Sequence, residues 1–128
     1  MIQKLSKVTV SDGTGVGWLQ TIHIYRGSWR RYAHISDYIK MSVRFITKYP
    51  RRIRGKRYKP IRVGFRCRGM VTLLIKNKFF YDRSCLRIFQ STVVLLKKKG
   101  TFKSKSLFGP AIRNLKRKHY REMFNYFV

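Results

Sequence analysis

Apolar and polar residues alternate with a period of two over most of this chain, the period of half-buried strands. The clearest instance is 38–46: Ile39, Met41, Val43 and Phe45 face one way, while Lys40, Ser42 and Arg44 face the other. Val8 and Val10 precede "SDGTGVG", whose Asp12-Gly13 pair is a hairpin-type turn signal. In the next strand, 16–25, Val16, Trp18, Ile22 and Ile24 share one side of the period. The texture returns at 61–75, where Ile61, Val63, Phe65 and Cys67 alternate with Arg62, Gly64, Arg66 and Arg68 ahead of an apolar run over 70–75. "FFYDRSCLRI" (79–88) reads as a hairpin turning at 82–84, and 92–96 is one more short strand. Strands this short, with one apolar and one basic face, predict a mainly β fold. A small closed or nearly closed barrel suits them, because an open sheet would leave its edges exposed.

The period changes only at the end. Pro110 suits a first helical turn, and Ile112 and Leu115 lie three residues apart. Tyr120, Met123, Phe124 and Phe127 then follow at i, i+3, i+4 and i+7. One broken or two short helices are expected there, with the apolar stripe packed on the barrel or, failing that, offered to a neighbouring protein. The chain reads as one domain over 1–128, with the barrel and its basic loops in 1–106 and a helical segment in 107–128.

Charge turns this barrel into a binding module. The 128 residues carry 31 Lys and Arg against 4 acids, a net charge of +27. A body of this size with that field repels itself and calls for a polyanionic partner, for which nucleic acid is the usual candidate. Much of the charge falls in two loops. "KYPRRIRGKRYK" (48–59) supplies Lys48, Arg51, Arg52, Arg54, Lys56, Arg57 and Lys59. "KKKGTFKSK" (97–105) supplies Lys97, Lys98, Lys99, Lys103 and Lys105. A lone charge run is often only a solvated face. Here the runs occur in a nearly acid-free chain whose strands also turn arginine outward, and arginine matches phosphate bidentately and stacks on bases. Trp29, Tyr32, Tyr49, Tyr58 and Phe102 sit within or beside basic stretches, as suits unpaired bases of folded RNA.

Catalysis has little to work with. Metal-dependent nucleases gather several carboxylates around their ions, and this chain has only Asp12, Asp37, Asp82 and Glu122. "DGTGVG" has neither the GxGxxG spacing nor a terminal Gly-Lys-Ser/Thr, so it reads as a turn. Cys67 and Cys85 lack a CxxC and the three histidines are scattered, so two reduced, mostly packed thiols are expected and no metal or other cofactor. His23 reads as an ordinary sheet residue. The opening "MIQKLSKVTV" has no apolar signal-peptide region, and the longest uncharged run, 13–25, is too short for a membrane span. No membrane partner is expected. An RNA-processing protein built on a small basic barrel is the alternative reading.

Several strings point further. They are the opening "MIQ", "VSDGTGVG" (10–17), "GSWRRYAHISDYIK" (27–40), "LRIFQSTVVLL" (86–96) and "SLFGPAIRNL" (106–115). Over nearly its whole length the chain resembles the universal L-fourteen family of large-subunit ribosomal proteins. The resemblance implies a five-stranded β-barrel with short C-terminal helices, seated at the subunit interface and not self-associating. It implies large-subunit rRNA as partner, with a neighbouring large-subunit protein and small-subunit rRNA reached through an intersubunit bridge. Arg30, Arg31 and Tyr32 match the family's Arg-Arg-Tyr, and Arg113 its C-terminal arginine. Asp82-Arg83 departs from the family's Asp-Gly turn, the 48–59 loop is longer and more basic than the bacterial one, and Ser106 and Glu122 replace basic residues. Nine Phe, eight Tyr and two Ala suit translation from an AT-rich organellar genome. That mix, with a start at the family's own first residues, favours a mitochondrial ribosome over a plastid or bacterial one.

Overall fold

The computed structural model describes residues 1–27, 29–47, 61–79, 85–112, 115, 124, 126 and 127, with 76–79 described in their backbone alone. Seven strands follow in order: β1 (Lys7–Val10), β2 (Val16–Ile24), β3 (Tyr38–Ile46), β4 (Arg66–Leu73), β5 (Lys76–Phe79), β6 (Cys85–Ile88) and β7 (Thr92–Leu96). Five close into a barrel in the order β1-β2-β3-β4-β7, and β5 pairs with β6 as a separate two-stranded hairpin. Every barrel pairing is antiparallel except the closing one, where β7 runs parallel to β1 with Thr9 opposite Thr92. The closed barrel expected from the strand pattern is observed, with the five strands that the family resemblance implied, and the turn signal in "DGTGVG" falls between β1 and β2. The 82–84 turn lies outside the described residues.

Side chains follow the period where the ladder is regular. Ile39, Met41 and Val43 of β3 are fully buried inside the barrel with Val8, Leu19, Ile24, Val71, Val93 and Leu95. β7 and the second half of β4 are buried on both faces. Val71, Val93 and Leu95 point inward, while Met70, Val94 and Leu96 join Ala111, Leu115 and Phe124 in a second cluster outside the barrel wall. Those two faces explain why 70–74 and 93–96 read as continuous apolar runs rather than as alternation. The apolar end of the chain therefore packs on the barrel, with Ala111 bridged to Phe127. No helix occurs among the described residues; most of 113–128, where helices were expected, lies outside them.

Elsewhere the simple period fails for identifiable reasons. In β2 the buried residues are Val16, Leu19, Thr21 and Ile24, with Trp18 half-buried and Ile22 exposed. Three register shifts against β3 interrupt this strand, and each extra residue hands the inward position to the opposite parity. The same irregularity leaves Phe45 half-exposed, lying across Gly17 rather than inside. Residues 62–65 form a turn and not the start of a strand: the Phe65 amide donates to the Arg62 carbonyl at 3.1 Å, and Gly64 has φ +84°. Val63 and Phe65 are consequently exposed. Cys67 is buried as expected, its thiol pushed up to about 11 by desolvation, but Cys85 is exposed on β6.

One packing contact gives a direct test. A Cβ on Gly69 would meet the Met41 methyl and stand 2.9 Å from the Val94 carbonyl oxygen of the neighbouring strand. The methionine can swing away, whereas a backbone carbonyl inside a closed ladder cannot. Gly69→Ala is expected to cost about 2 kcal/mol, in the range of an overpacked core, read from urea unfolding. An unchanged midpoint would show that β7 can shift outward.

Candidate nucleic-acid interface

The arginine turn between β2 and β3 is built around Asp37. This carboxylate, whose side chain is only 5% exposed, accepts hydrogen bonds from the Arg30 guanidinium and from the His34 amide at 2.8 Å. Arg26 approaches it at 3.5 Å from the solvent side. Arg30 Nε also donates to the Tyr32 carbonyl at 3.1 Å. Ile2 and Ala33 then exchange backbone hydrogen bonds at 3.2 and 2.8 Å, stitching the turn to the N-terminus. A rigid platform results. From it Trp29, 93% exposed, and Arg31 stand in solvent beside Gln3 and Lys4, lining a shallow cleft of about 350 Å³.

The second basic site crosses the barrel wall. His23, Lys40, Arg68 and Leu96 are successive cross-strand partners on β2, β3, β4 and β7. Because Ile39, Met41 and Cys67 turn inward, alternation sends Lys40, Arg66 and Arg68 to the outer face. Beyond β7 the chain reverses tightly: the Lys97 amide donates to the Thr101 carbonyl at 2.8 Å and the Gly100 amide to the Lys97 carbonyl at 3.0 Å. The Lys103 amide then donates to the Leu95 carbonyl at 2.9 Å. This reversal brings Lys97, Lys98 and Lys103 against the strand cations and closes a cleft of about 470 Å³. Two aromatic rings line it. The Arg68 guanidinium lies 4.9 Å over Tyr25 and the Lys103 ammonium 4.8 Å over Phe65.

Among the described residues, no carboxylate forms an ion pair with these cations. Asp12, the other acid among the described residues, is buried beneath the β1–β2 turn, accepting from the Leu95 amide at 2.8 Å and from the amide and hydroxyl of Thr14. Burial pushes its carboxyl above the ordinary value, with the Thr14 and Leu95 hydrogen bonds and Lys103 opposing. The two ion pairs among the described residues are both on Asp37. Nor is there, among those residues, a cluster of His, Cys, Asp and Glu able to hold a metal ion.

Sequence reasoning and structure meet at part of this surface. Arg30 and Arg31 line the first cleft and Lys97, Lys98 and Lys103 the second. Tyr32 is partly exposed at the turn, and Lys99 and Lys105 are exposed but line neither cleft. Lys48, Arg51, Arg52, Arg54, Lys56, Arg57, Lys59 and Arg113 fall outside the described residues. Tyr25, Lys40, Phe65, Arg66 and Arg68, with Gln3 and Lys4, were not singled out as site residues. The strand alternation already marked Lys40, Arg66 and Arg68 as outward; nothing in the sequence joined them to the lysine reversal.

Comparison with known proteins adds the rest. The model of the family described as ribosomal protein L14p/L23e matches residues 1–126. The large ribosomal subunit protein uL14m of Tetrahymena pyriformis is 32% identical over 124 residues, covering 97% of this chain and 97% of that protein.

Proposed function

The chain belongs to the ribosomal protein L14p/L23e family, and from that premise we propose that it is a structural constituent of the large subunit of a mitochondrial ribosome. It binds large-subunit rRNA through its outward cations, and the full-length similarity to uL14m supports the mitochondrial setting. The chain works as one domain. A neighbouring large-subunit protein and small-subunit rRNA, reached across the subunit interface, complete its partners. The observation that carries the RNA-binding reading is electrostatic: Lys40, Arg66, Arg68, Lys97, Lys98 and Lys103 converge on one cleft, while Asp12 and Asp37 are buried and engaged elsewhere. The family is structural rather than enzymatic, and two carboxylates committed to holding turns are poor candidates for acid–base work.

Each phosphate neutralised by a cation releases counterions, so about eight contacts give a slope of log affinity against log salt near −6 to −7. Replacing exposed Arg31, Lys97 and Lys98 together by alanine is expected to flatten that slope by about 2 to 3, on the same arithmetic, with little change in melting temperature. Titration of the purified chain with rRNA fragments across a salt series measures it. A wild-type slope shallower than about −3, or a triple variant matching the wild type, would remove the electrostatic basis of the reading.

A further inference from the structure

The 470 Å³ cleft holds more than a generic phosphate surface. Lys40 and Arg68 stand directly opposite one another across β3 and β4, a like-charge pairing that destabilises a sheet unless an anion lies between the two. The Arg68 guanidinium also lies 4.9 Å over the Tyr25 ring, and both residues line the cleft. A planar cation supported by an aromatic ring is a stacking platform for a nucleobase. Lys97 and Lys98 rise from the adjoining reversal, placed for the phosphates on either side of such a base.

We propose that this cleft captures a single unpaired nucleotide of an RNA strand, its base stacked on the Arg68–Tyr25 pair and its flanking phosphates on Lys40, Lys97 and Lys98. The assignment rests on the RNA-binding reading above and adds a base-dependent component to it. Paired RNA does not satisfy the cleft, because its bases are already stacked on one another. Bulged or looped nucleotides do.

The test uses the full chain, an eight-nucleotide single-stranded RNA, and its abasic analogue of equal charge. The wild-type protein is expected to prefer the base-bearing strand by tenfold or more, since one base on an aromatic platform contributes about that factor. Arg68→Lys keeps the charge and removes the plane; Tyr25→Leu removes the ring that supports it. Each is expected to lower the preference about tenfold, read as the ratio of the two affinities, so that a general loss of phosphate binding, which weakens both strands alike, does not count. Excess uridine monophosphate should not compete, because it lacks the second flanking phosphate. A preference unaltered in both variants overturns the proposal, and competition by the free nucleotide overturns its assignment to a strand. Failure of the protein to bind either RNA at low salt would instead overturn the RNA-binding reading itself.

Discussion

An Asp37→Ala chain is expected to unfold about 3 kcal/mol more easily than the wild type and to bind RNA less well, although a negative charge has been removed. The stability loss follows from what the carboxylate holds. Its side chain is 5% exposed and accepts from the Arg30 guanidinium and the His34 amide. Removing it leaves a three-quarters-buried cation beside a void and an amide without its acceptor, and hydrogen bonds to charged groups contribute about 1.5–3 kcal/mol each. Arg26, half-exposed at 3.5 Å, adds little. Asp37→Asn retains an acceptor for the amide and should recover about half the loss. The binding loss is the discriminating part. Coulomb's law alone predicts that deleting an acid beside a polyanion site strengthens binding. If Asp37 instead positions Trp29 and Arg31, the freed turn samples other shapes and affinity falls. Urea unfolding and RNA titration of the same two variants decide it; stronger binding by Asp37→Ala would show that the turn needs no anchor.

The barrel was legible in the sequence because strand periodicity survives wherever the ladder is regular. β3 and β7 emerged with their observed limits, and the mixed buried and apolar texture of β4 was visible from residue 66 onward. Legibility ended at bulges and turns. Nothing in "VGWLQTIHI" announces the three register shifts that reverse the inward parity of β2, because a bulge is decided by how two strands twist together and not by either alone. Likewise Ile61 to Phe65 continues the alternation of β4 in letters, yet Gly64 bends that stretch into a turn. At the site, the sequence treated Arg30 and Arg31 as equivalent RNA ligands. The fold separates them, holding Arg30 on Asp37 and leaving Arg31 exposed. The wall cleft was the harder part, since it joins β3, β4 and the 97–103 reversal, and no local pattern encodes that meeting.

Asp12→Ala is expected to cost about 3 kcal/mol as well, by a route that reaches the wall cleft. The Asp12 carboxylate accepts from the Leu95 amide at 2.8 Å and from both donors of Thr14. Orphaning a buried donor costs about 1–3 kcal/mol, and relief from burying the charge offsets part of the total. Leu95 is also the residue whose carbonyl receives the Lys103 amide at 2.9 Å. Freed from Asp12, the end of β7 holds the lysine reversal less firmly, so the variant's RNA affinity should fall with its stability. The carboxyl also leaves a signature in pH. Burial raises its folded pKa above the ordinary 3.8, so on acidification the folded chain takes up this proton before the unfolded chain does. Its contribution to stability therefore improves as pH falls through the raised value and levels off below 3.8. Asp12→Asn cannot titrate. Relative to that variant, the wild type should gain stability between neutral pH and about 4, a comparison in which the repulsion of the remaining cations largely cancels. A difference between the two chains that stayed flat over that range, or that moved the other way, would mean that Asp12 is held by its hydrogen bonds more strongly than burial opposes it.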